Sequence, residues 1–515
     1  MAKKINTDKN LFQHSQQHGL RNFFISVIVV FVLGLAIFKM NDENTVSQDD
    51  ELLVYCAAGI RMPIKEICQN YENETGVKVQ IEYGSSGELE SKIQQDAQFN
   101  KSRTDLYIPA DNSFTDRTLA KKLSAEQLPL ASFRLVLALK KDDPIKINSF
   151  DDLFKKNIKL AICNERAGAG KKTKDTLMPH ELWDKLKANA KVIHSKVTEC
   201  AASIKSSQDI RAGIIWDTTA KQFDLRIIDL EELNNSRAEI SVNLISNNAK
   251  PSTALHLARY LSAPESAHIF EKYAFTPNSG DSWASQPALN LYCGGVNKNA
   301  VSKTIKEFEE REGVKISTSY AGCGTLVASI KADSLQGPDG FMTCDASYYD
   351  KVKNDFIAAK DVSSTEIVIL VRKGNPKNIK ALSDLQNEGI KFGTTNPKKS
   401  TLGYLSWKML RELKIEEQAK QNAIVTTPTA HELLTAFSAH DKLDAALVYT
   451  ANCALLNQEY ELIPIQHPLA TAIQNISINK KSKYPLLMGR LIRTLKSDKS
   501  RQRFLKAGFQ WQGEL

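Results

Sequence analysis

Three short loops in this 515-residue chain combine the residue types that can hold a small anion without a full counter-charge. They are residues 56–59 (CAAG), 83–87 (YGSSG) and 167–170 (AGAG). Small side chains let backbone N–H groups approach a ligand, serine hydroxyls add donors, and a helix that begins at such a loop adds partial positive charge. Ordinary tight turns have the same composition, so the loops alone do not separate a binding site from a structural turn.

The elements that would position these loops occur twice along the chain. Residues 53–93 and 290–330 align without a gap from Cys56 and Cys293 onward, each with a Tyr-Cys pair, a helix, a Gly-Val-Lys strand and a Gly-rich loop. A duplication of this length predicts two similar domains rather than a solenoid, whose repeats are about 20–50 residues. We therefore predict a first domain at 51–275 and a second at 289–515, with a Pro/Ser/Gly-rich linker at 276–288.

Each domain reads as α/β. In the first, alternating apolar residues at 77–83 predict a strand, and helical spacing of apolar residues at 64–71 predicts the helix before it. Strand, helix and strand form a βαβ unit, which implies a parallel sheet. Further strands are predicted at 105–111, 133–139, 159–163 and 213–216, with counterparts at 339–345, 367–371, 391–395 and 446–449. We expect two lobes per domain, with the loops at the carboxyl ends of the strands facing a central cleft.

The N-terminus predicts a membrane anchor. Residues 23–38 carry no charge, and at ~1.5 Å per residue they approach the thickness of a bilayer core when flanking residues contribute. Basic residues precede this run and acidic residues follow it. The positive-inside rule then predicts a cytoplasmic segment at 1–22, an uncleaved transmembrane anchor at 23–40, a linker at 41–50 and a periplasmic or extracellular location for the remainder.

Other function classes lack their signatures. The net charge of +9 is dispersed, which argues against nucleic-acid binding. His431-Glu432 lacks the second histidine of a zinc protease, and Gly170-Lys171 lacks the remainder of a phosphate-binding loop. We predict no enzyme, no cofactor and no metal site.

Cysteines and lysines near the loops leave alternatives open. The cysteines fall four per half, and Cys163 with Cys200, or Cys323 with Cys344, could meet as disulfides or remain buried thiols. Basic clusters follow the loop at 167–170 and precede its counterpart in the second half. They are either solvated surface charges or groups that steer an anion into the cleft: Lys171, Lys172, Lys174, Lys398 and Lys399.

The ordered set of segments is more specific than any one loop. LVYCAAGI (53–60), YGSSGEL (83–89), DLYIPAD (105–111), AGAG (167–170) and GIIWDTTA (213–220) together resemble the molybdate-binding periplasmic proteins and their tungstate-binding relatives, the substrate-binding subunits of ABC importers. The resemblance implies two tandem type II periplasmic-binding domains, each with two α/β lobes around a central cleft. It also implies a small oxyanion as ligand and an ABC permease as partner.

In that family, serines from two loops, backbone amides from the far lobe and an aromatic hydroxyl surround a tetrahedral oxyanion. The resemblance places these roles in the first half on Ala58, Gly59, Ser85, Ser86, Gly170, Cys200, Ala201 and Trp216. In the second half it places them on Gly295, Val296, Cys323, Leu402, Gly403, Ala430 and Tyr449. The first half departs from the family by losing one serine and the tyrosine, and the second by losing both serines.

These observations predict a membrane-tethered solute-binding protein that captures a small, molybdate-like oxyanion for an ABC importer. The departures support an alternative, in which the chain is a tethered sensor or scaffold with degenerate clefts.

Overall fold

Strands and helices alternate along the part of the chain that the computed structural model describes, residues 51–332, 337–439, 441–454 and 459–513. The strands of the first half are β1 Glu51–Ala57, β2 Lys78–Gly84, β3 Leu106–Ile108, β4 Ser124–Phe133, β5 Leu135–Leu139, β6 Leu160–Cys163, β7 Ala190–His194, β8 Ala212–Trp216, β9 Arg226–Ile228, β10 Ala238–Ile245 and β11 Thr276–Pro277. Those of the second half are β12 Ala288–Gly294, β13 Lys315–Ala321, β14 Gly340–Met342, β15 Lys360–Arg372, β16 Phe392–Thr395, β17 Ala423–Thr427, β18 Ala445–Tyr449, β19 Tyr460–Pro464, β20 Thr471–Ile478 and β21 Gln510–Trp511.

Helices cover these strands in both halves. The α-helices of the first half are α1 Arg61–Thr75, α2 Ser86–Gln98, α3 Asn112–Ala120, α4 Phe150–Lys155, α5 Gly168–Leu177, α6 Trp183–Asn189, α7 Val197–Ser206, α8 Asp217–Gln222, α9 Pro251–Ser262 and α10 Ala267–Lys272. Those of the second half are α11 Lys298–Glu312, α12 Cys323–Ala332, α13 Thr401–Glu412, α14 Glu416–Asn422, α15 Ala430–Ala439, α16 Thr450–Cys453, α17 Pro485–Leu495 and α18 Asp498–Lys506. Short 3-10 helices lie at Ala58–Ile60, Met178–His180, Glu231–Leu233, Pro264–Ser266, Gly295–Asn297, Ala346–Tyr348, Leu382–Gln386 and Pro468–Ala470.

The predicted βαβ unit opens each half. In the first, β1 pairs in parallel with both β2 and β3, and α1 buries Ile64, Ile67 and Tyr71 against them. In the second, β12 pairs in parallel with β13 and β14. The alternation and helical spacing in the sequence therefore predicted these elements correctly, because each apolar face lies against the sheet.

The first half consists of two sheets, one per lobe. The first lobe has the strand order β11-β4-β10-β3-β1-β2, and the second has β7-β6-β8-β5-β9. The chain crosses from β4 to β5 through the single residue Arg134, and it returns between β9 and β10. At this crossing the N–H of Asp217 donates to the Arg134 carbonyl at 2.9 Å, and the N–H of Arg134 donates to the Asp217 carboxylate at 3.3 Å.

The second half differs at the equivalent crossing, because its strand is continuous. Residues 360–366 of β15 pair with β20 and β21, and residues 367–372 pair with β18 and β19. The strands of this half thus form one hydrogen-bonded path that passes through β15. Among the described strands the two groups share β15, and the chain returns from one group to the other between β19 and β20.

The two halves contact each other through buried charges. Glu312, at the end of α11, is fully buried and pairs with Arg490 of α17 at 3.0 Å, while Arg259 of α9 donates to the Glu312 carbonyl at 2.7 Å. Burial alone would raise the pKa of Glu312, but Arg490, Arg311 and Arg259 together hold it below its usual value. From the first half, Glu126 accepts hydrogen bonds from Arg311 and Arg493.

The segment predicted as a linker, 276–288, packs into this contact. Its strand β11 pairs with β4, and Asp281 accepts the backbone N–H groups of Leu486 and Leu487 at the start of α17, each at 2.8 Å. The ring of Trp283 lies edge-on to His256 and Tyr260 of α9, each with a centroid distance of 4.9 Å. The segment therefore contacts the first half through β4 and α9 and the second half through α17.

The predicted cytoplasmic segment 1–22, anchor 23–40 and linker 41–50 lie outside the described residues. In the part of the chain that is described, no helix has both the length and the apolar character needed to cross a bilayer.

Candidate functional site

The two serines of the loop after β2 have different tasks. Ser85 caps α2, since its hydroxyl accepts the N–H of Glu88 at 3.3 Å and the Glu88 carboxylate accepts the N–H of Ser85. Ser86 is 1% exposed and points toward the end of β3, where its hydroxyl accepts the N–H of Ala110 at 3.1 Å. A serine hydroxyl that accepts one hydrogen bond still has a hydrogen to donate. The Ser86 oxygen would lie 3.4 Å from a β-carbon at Gly168 of the other lobe, so of this pair Ser86 is the better-placed donor to a ligand.

The lobes of the first half are closed on each other at this point. The N–H of Gly87, in the first turn of α2, donates to the carbonyl of Arg166 in the other lobe at 2.9 Å. A β-carbon at Gly168, the first residue of α5, would lie 2.9 Å from Cβ of Ala110 and 3.4 Å from Oγ of Ser86. The N-terminus of α5 therefore lies against the Ser86 hydroxyl across the cleft.

Gly59 and Trp216 meet on the other side of the same cleft. A β-carbon at Gly59 would lie 3.0 Å from Cγ1 of Val197 and 3.4 Å from Cδ1 of Trp216. Both of these partners belong to the second lobe, at the start of α7 and the end of β8. A serine at this position would therefore press against the side chains of Val197 and Trp216.

Trp216 supplies a donor instead. Its side chain is fully buried, packs edge-on to Phe133 with a centroid distance of 4.2 Å, and has an Nε1–H without a hydrogen-bond partner among the described residues. A buried unpaired donor costs about 1–3 kcal/mol unless something accepts from it. An anion between the lobes would be such an acceptor.

The remaining far-lobe residues of the first half are buried inside the second lobe. A β-carbon at Gly170 would lie 1.9 Å from the carbonyl oxygen of Asn164, so glycine is required for α5 to approach the end of β6. Cys200 and Ala201 are fully buried in the interior of α7, and a hydrogen bond with Cys163 raises the pKa of Cys200. The side chain of α7 that lies against Gly59 of the first lobe is that of Val197, and the assignment of Cys200 and Ala201 to a ligand stays a prediction.

A basic groove of about 870 Å³ lies at the mouth of this cleft. Ala58 and Tyr83 line it from one lobe, Thr198 and Phe223 line it from the other, and cations come from both sides. These cations are Arg61, Lys65, Lys196, Lys221 and Lys272. Sequence reasoning missed this groove because its lysines are scattered along the chain and only the closed lobes bring them together.

The lysines that follow the loop at 167–170 each have an acidic partner. Lys171 pairs with Asp175 at 2.6 Å, and Lys174 pairs with Glu165 at 2.8 Å. Lys172 lies 3.7 Å from Asp111 of the other lobe. These charges are therefore used within the protein. In the groove, Lys272 likewise pairs with Glu66 at 2.8 Å and Glu199 adds a carboxylate, so the excess positive charge comes from Arg61, Lys65, Lys196 and Lys221.

The cleft of the second half has sulfur where the first has oxygen. Cys323 begins α12 and is fully buried, and its Sγ accepts the N–H of Cys344 at 2.9 Å. The two sulfur atoms lie 2.8 Å apart. Of the alternatives that the sequence left open, a disulfide or buried thiols, this structure shows the second: every cysteine of the chain is a buried free thiol.

The other predicted residues of the second half are divided between its two lobes. Gly295 and Val296 lie in the 3-10 helix after β12, and Ala430 begins α15. Leu402 is fully buried in the first turn of α13, and a β-carbon at Gly403 would lie 2.2 Å from the carbonyl oxygen of Thr395, as at Gly170. The assignment of these residues to a ligand stays a prediction in both halves.

Tyr449 is the counterpart of Trp216. It ends β18, is 2% exposed, and its hydroxyl has no hydrogen-bond partner among the described residues. Burial raises the pKa of this phenol well above its usual value, so it stays a neutral donor. Both halves thus place an uncharged aromatic donor at the same point of the second lobe.

Two segments of the chain, residues 52–276 and 289–510, match the family of bacterial extracellular solute-binding proteins. A putative ABC transporter substrate-binding lipoprotein, YvgL of Bacillus subtilis, is 28% identical over 265 residues, which is 50% of this chain and 97% of that protein. The molybdate-binding protein ModA of Escherichia coli is 25% identical over 245 residues, 45% of this chain and 91% of that protein.

Solved structures with similarity to one half include the substrate-binding domain of a putative molybdenum ABC transporter from Clostridium difficile. That similarity has 23% identity and a TM-score of 0.35, and it covers 45% of this chain and all of that domain. The periplasmic molybdate-binding protein of Azotobacter vinelandii shows 17% identity and a TM-score of 0.37 over 44% of this chain and 98% of its own.

Proposed function

Because the chain belongs to the family of bacterial extracellular solute-binding proteins, we propose that its first half closes on a small oxyanion of the molybdate class. The donors to the anion are the hydroxyl of Ser86, the Nε1–H of Trp216 and the backbone N–H groups at the start of α5. None of these donors carries a charge, so the site compensates an anion through hydrogen bonds and the helix dipole.

The observation that carries this proposal is the unpaired indole N–H of Trp216, buried beside Gly59 between the closed lobes. A donor in that position lowers the free energy of the closed form only when an acceptor is present. A ligand that accepts a hydrogen bond from this N–H binds the closed form more tightly than the open form, and it therefore shifts the open–closed equilibrium of the lobes toward closure. The basic groove at the mouth raises the local concentration of anions.

We further propose that the chain delivers its ligand to an ABC permease, as the names of YvgL and of the Clostridium difficile domain suggest for those proteins. In this proposal the apolar run at 23–38 tethers the chain to the membrane, and residues after 50 lie on the outer side. Each half then works as a type II binding domain whose lobes bend about the crossings at Arg134 and β15.

The proposal is tested by titrating the purified full-length chain with molybdate, tungstate, sulfate and phosphate in separate experiments. A bound anion stabilises the folded chain by about 2.7 kcal/mol at 100 times its Kd, which appears as a rise in the thermal unfolding midpoint. Native mass spectrometry then counts the bound anions. We expect one molybdate or tungstate per chain, and absence of any shift with all four anions refutes the proposal.

The second half supports a different candidate function, a sensor or scaffold domain. It has Val296 and Cys323 where the family has serines, so it lacks both hydroxyl donors. A chain that binds no oxyanion at either cleft but retains binding to a membrane protein partner would favour this alternative. One bound anion per chain instead assigns transport to the first half and leaves the second with another task.

A further inference from the structure

The two clefts differ at three equivalent positions that contact one another. The first half has small or hydroxyl side chains there, and the second has a glycine and two thiols: Ala57, Ser86 and Ala110 against Gly294, Cys323 and Cys344. The backbone frame is the same, since the N–H of Ala110 donates to Oγ of Ser86 at 3.1 Å and the N–H of Cys344 donates to Sγ of Cys323 at 2.9 Å. The differences therefore change the chemistry of the site within one geometry.

Gly294 makes room for the sulfur atoms. A β-carbon at this position would lie 2.4 Å from Sγ of Cys344 and 3.1 Å from Sγ of Cys323, distances at which something has to move. The first half, which has no sulfur here, carries Ala57. The two thiols are in contact, and residue 294 beside them has no side chain. This arrangement is a dithiol site rather than a pair of isolated buried cysteines.

The surroundings favour one thiolate. Hydrogen bonds from the Cys323 and Thr401 side chains lower the pKa of Cys344, and burial raises that of Cys323. The contact between the two thiols links the ionisation of one to that of the other. The thiolate is the form of cysteine that attacks an electrophile.

Nearby cations disfavour a metal ion. Lys351 lies over the ring of Tyr348 at 3.6 Å, close enough to Cys323 for the two groups to interact electrostatically. The neighbouring carboxylate, Asp345, already accepts the N–H groups of Ser347 and Ile473. Among the described residues no cluster of three metal-ligating side chains is present. Two cysteine sulfur atoms in contact suit a thiophilic solute that brings no positive charge to the neighbouring lysine.

We propose that the second cleft captures an oxyacid of a trivalent metalloid, of which arsenite is the simplest, on the sulfur atoms of Cys323 and Cys344. With As(OH)₃, two As–O bonds and two S–H bonds break, two As–S bonds form, and two water molecules leave. Each sulfur lone pair attacks arsenic, and the departing hydroxide takes the thiol proton. Arsenic stays trivalent, so the reaction requires no oxidant.

This proposal rests on the proposed function in one respect: the lobes open to admit the solute. In the closed form the loop around Cys323 lies against the opposite lobe, where β-carbons at Gly322 and Gly324 would lie 2.2 Å from the carbonyl oxygens of Lys399 and Lys398. The thiols are therefore reached from the cleft only after the lobes separate.

The test uses the full-length chain, kept reduced, incubated with sodium arsenite and desalted before arsenic is counted by elemental mass spectrometry. We expect the wild type to hold one more arsenic per chain than Cys323→Ser or Cys344→Ala, which carry the first half's own residues. Cys453→Ser is the matched control, because burial raises the pKa of this second-half thiol to about 12. It should retain the wild-type arsenic content.

Equal arsenic content in the wild type and both variants overturns the proposal. A disulfide between Cys323 and Cys344 that survives treatment with excess reductant also overturns it, because no thiol would be left to bind arsenic. If a variant fails to fold, the wild type still decides: arsenite should protect Cys323 and Cys344 from iodoacetamide, as read by peptide mass spectrometry. Absence of protection counts against the site.

A reciprocal exchange sharpens the result. The triple variant Ala57→Gly, Ser86→Cys and Ala110→Cys transfers the three second-half residues to the first cleft, and it should gain one arsenic per chain while it loses molybdate binding. Molybdate binding reports on the first cleft, and the arsenic count lost with Cys323 or Cys344 reports on the second. Failure of either proposal is thus distinguishable from failure of the other.

Discussion

Closure of the first cleft depends on Gly87, and Gly87→Ala tests it without removing any group that donates to the ligand. The N–H of Gly87 donates to the carbonyl of Arg166 across the cleft at 2.9 Å, and a β-carbon at residue 87 would lie 2.7 Å from that same oxygen. The obstruction is backbone, so it cannot be relieved by a change of rotamer. The lobes themselves have to part.

The size of the effect follows from these distances. Restoring an ordinary contact of 3.4 Å in place of 2.7 Å separates the lobes by about 0.7 Å, which lengthens the 2.9 Å hydrogen bond to about 3.6 Å and breaks it. A lost hydrogen bond costs about 0.5–1.5 kcal/mol, and loosened packing across the cleft adds to this. We expect the closed form to lose about 1–2 kcal/mol, which weakens ligand binding about 5- to 30-fold.

Isothermal titration with molybdate measures the affinity of the full-length chain, and hydrogen exchange at the amide of residue 87 measures closure independently of any ligand. The matched control is Gly489→Ala in α17, where the new β-carbon meets only the Arg493 guanidinium, at 4.0 Å. This control should keep the wild-type affinity and gain up to about 1 kcal/mol of stability from helix propensity. If Gly87→Ala binds as tightly as the wild type and its amide stays protected, the closed cleft described above is not the binding form.

Three further predictions concern single side chains. Ser86→Ala should weaken molybdate binding by about 1–3 kcal/mol, because it removes one donor to a desolvated charge. Titration calorimetry measures this change. The control is Ser124→Ala, a buried substitution that removes a hydrogen bond to Thr118 in the same lobe. Burial and the charge of Arg259 lower the pKa of His256 from 6.5 to about 4. As the pH falls from 6.5 to 4, the unfolded chain binds a proton at this histidine and the folded chain does not, so the free energy of unfolding decreases by about 3 kcal/mol. Urea unfolding at both pH values should show this loss in the wild type and much less of it in His256→Gln. Glu312→Gln leaves Arg490 buried without its counter-charge and should lower the free energy of unfolding by about 3–5 kcal/mol, measured by urea denaturation.

Specific outcomes would contradict these three expectations. Unchanged affinity in Ser86→Ala places the donor elsewhere. An equal loss of stability with pH in the wild type and His256→Gln assigns the acid sensitivity to other groups, and the exposed His268→Gln should behave as the wild type in either case. A Glu312→Gln chain as stable as the wild type means that the buried charges between the halves add no net stability.

The sequence motifs predicted a substrate-binding protein, and the family match over residues 52–276 and 289–510 shows that the chain is a bacterial extracellular solute-binding protein. The strands around the cleft were predictable because each has a run of apolar or alternating residues next to a turn, as at β1, β2 and β8. The role of Ser85 was not predictable in the same way. A serine at the start of a helix can cap that helix or bind a ligand, and only the hydrogen bond to Glu88 separates the two.

The sequence by itself determined that the chain is a duplication, that each half alternates strands and helices, and where the small-residue loops lie. These properties are local, because they depend on periodicity and on residue type within a few positions. Tertiary structure decided which distant residues meet: Val197 with Gly59, Cys344 with Cys323, and the five cations of the groove. Such contacts depend on how the lobes close, and a one-residue shift along a helix such as α7 turns a different side chain toward the cleft.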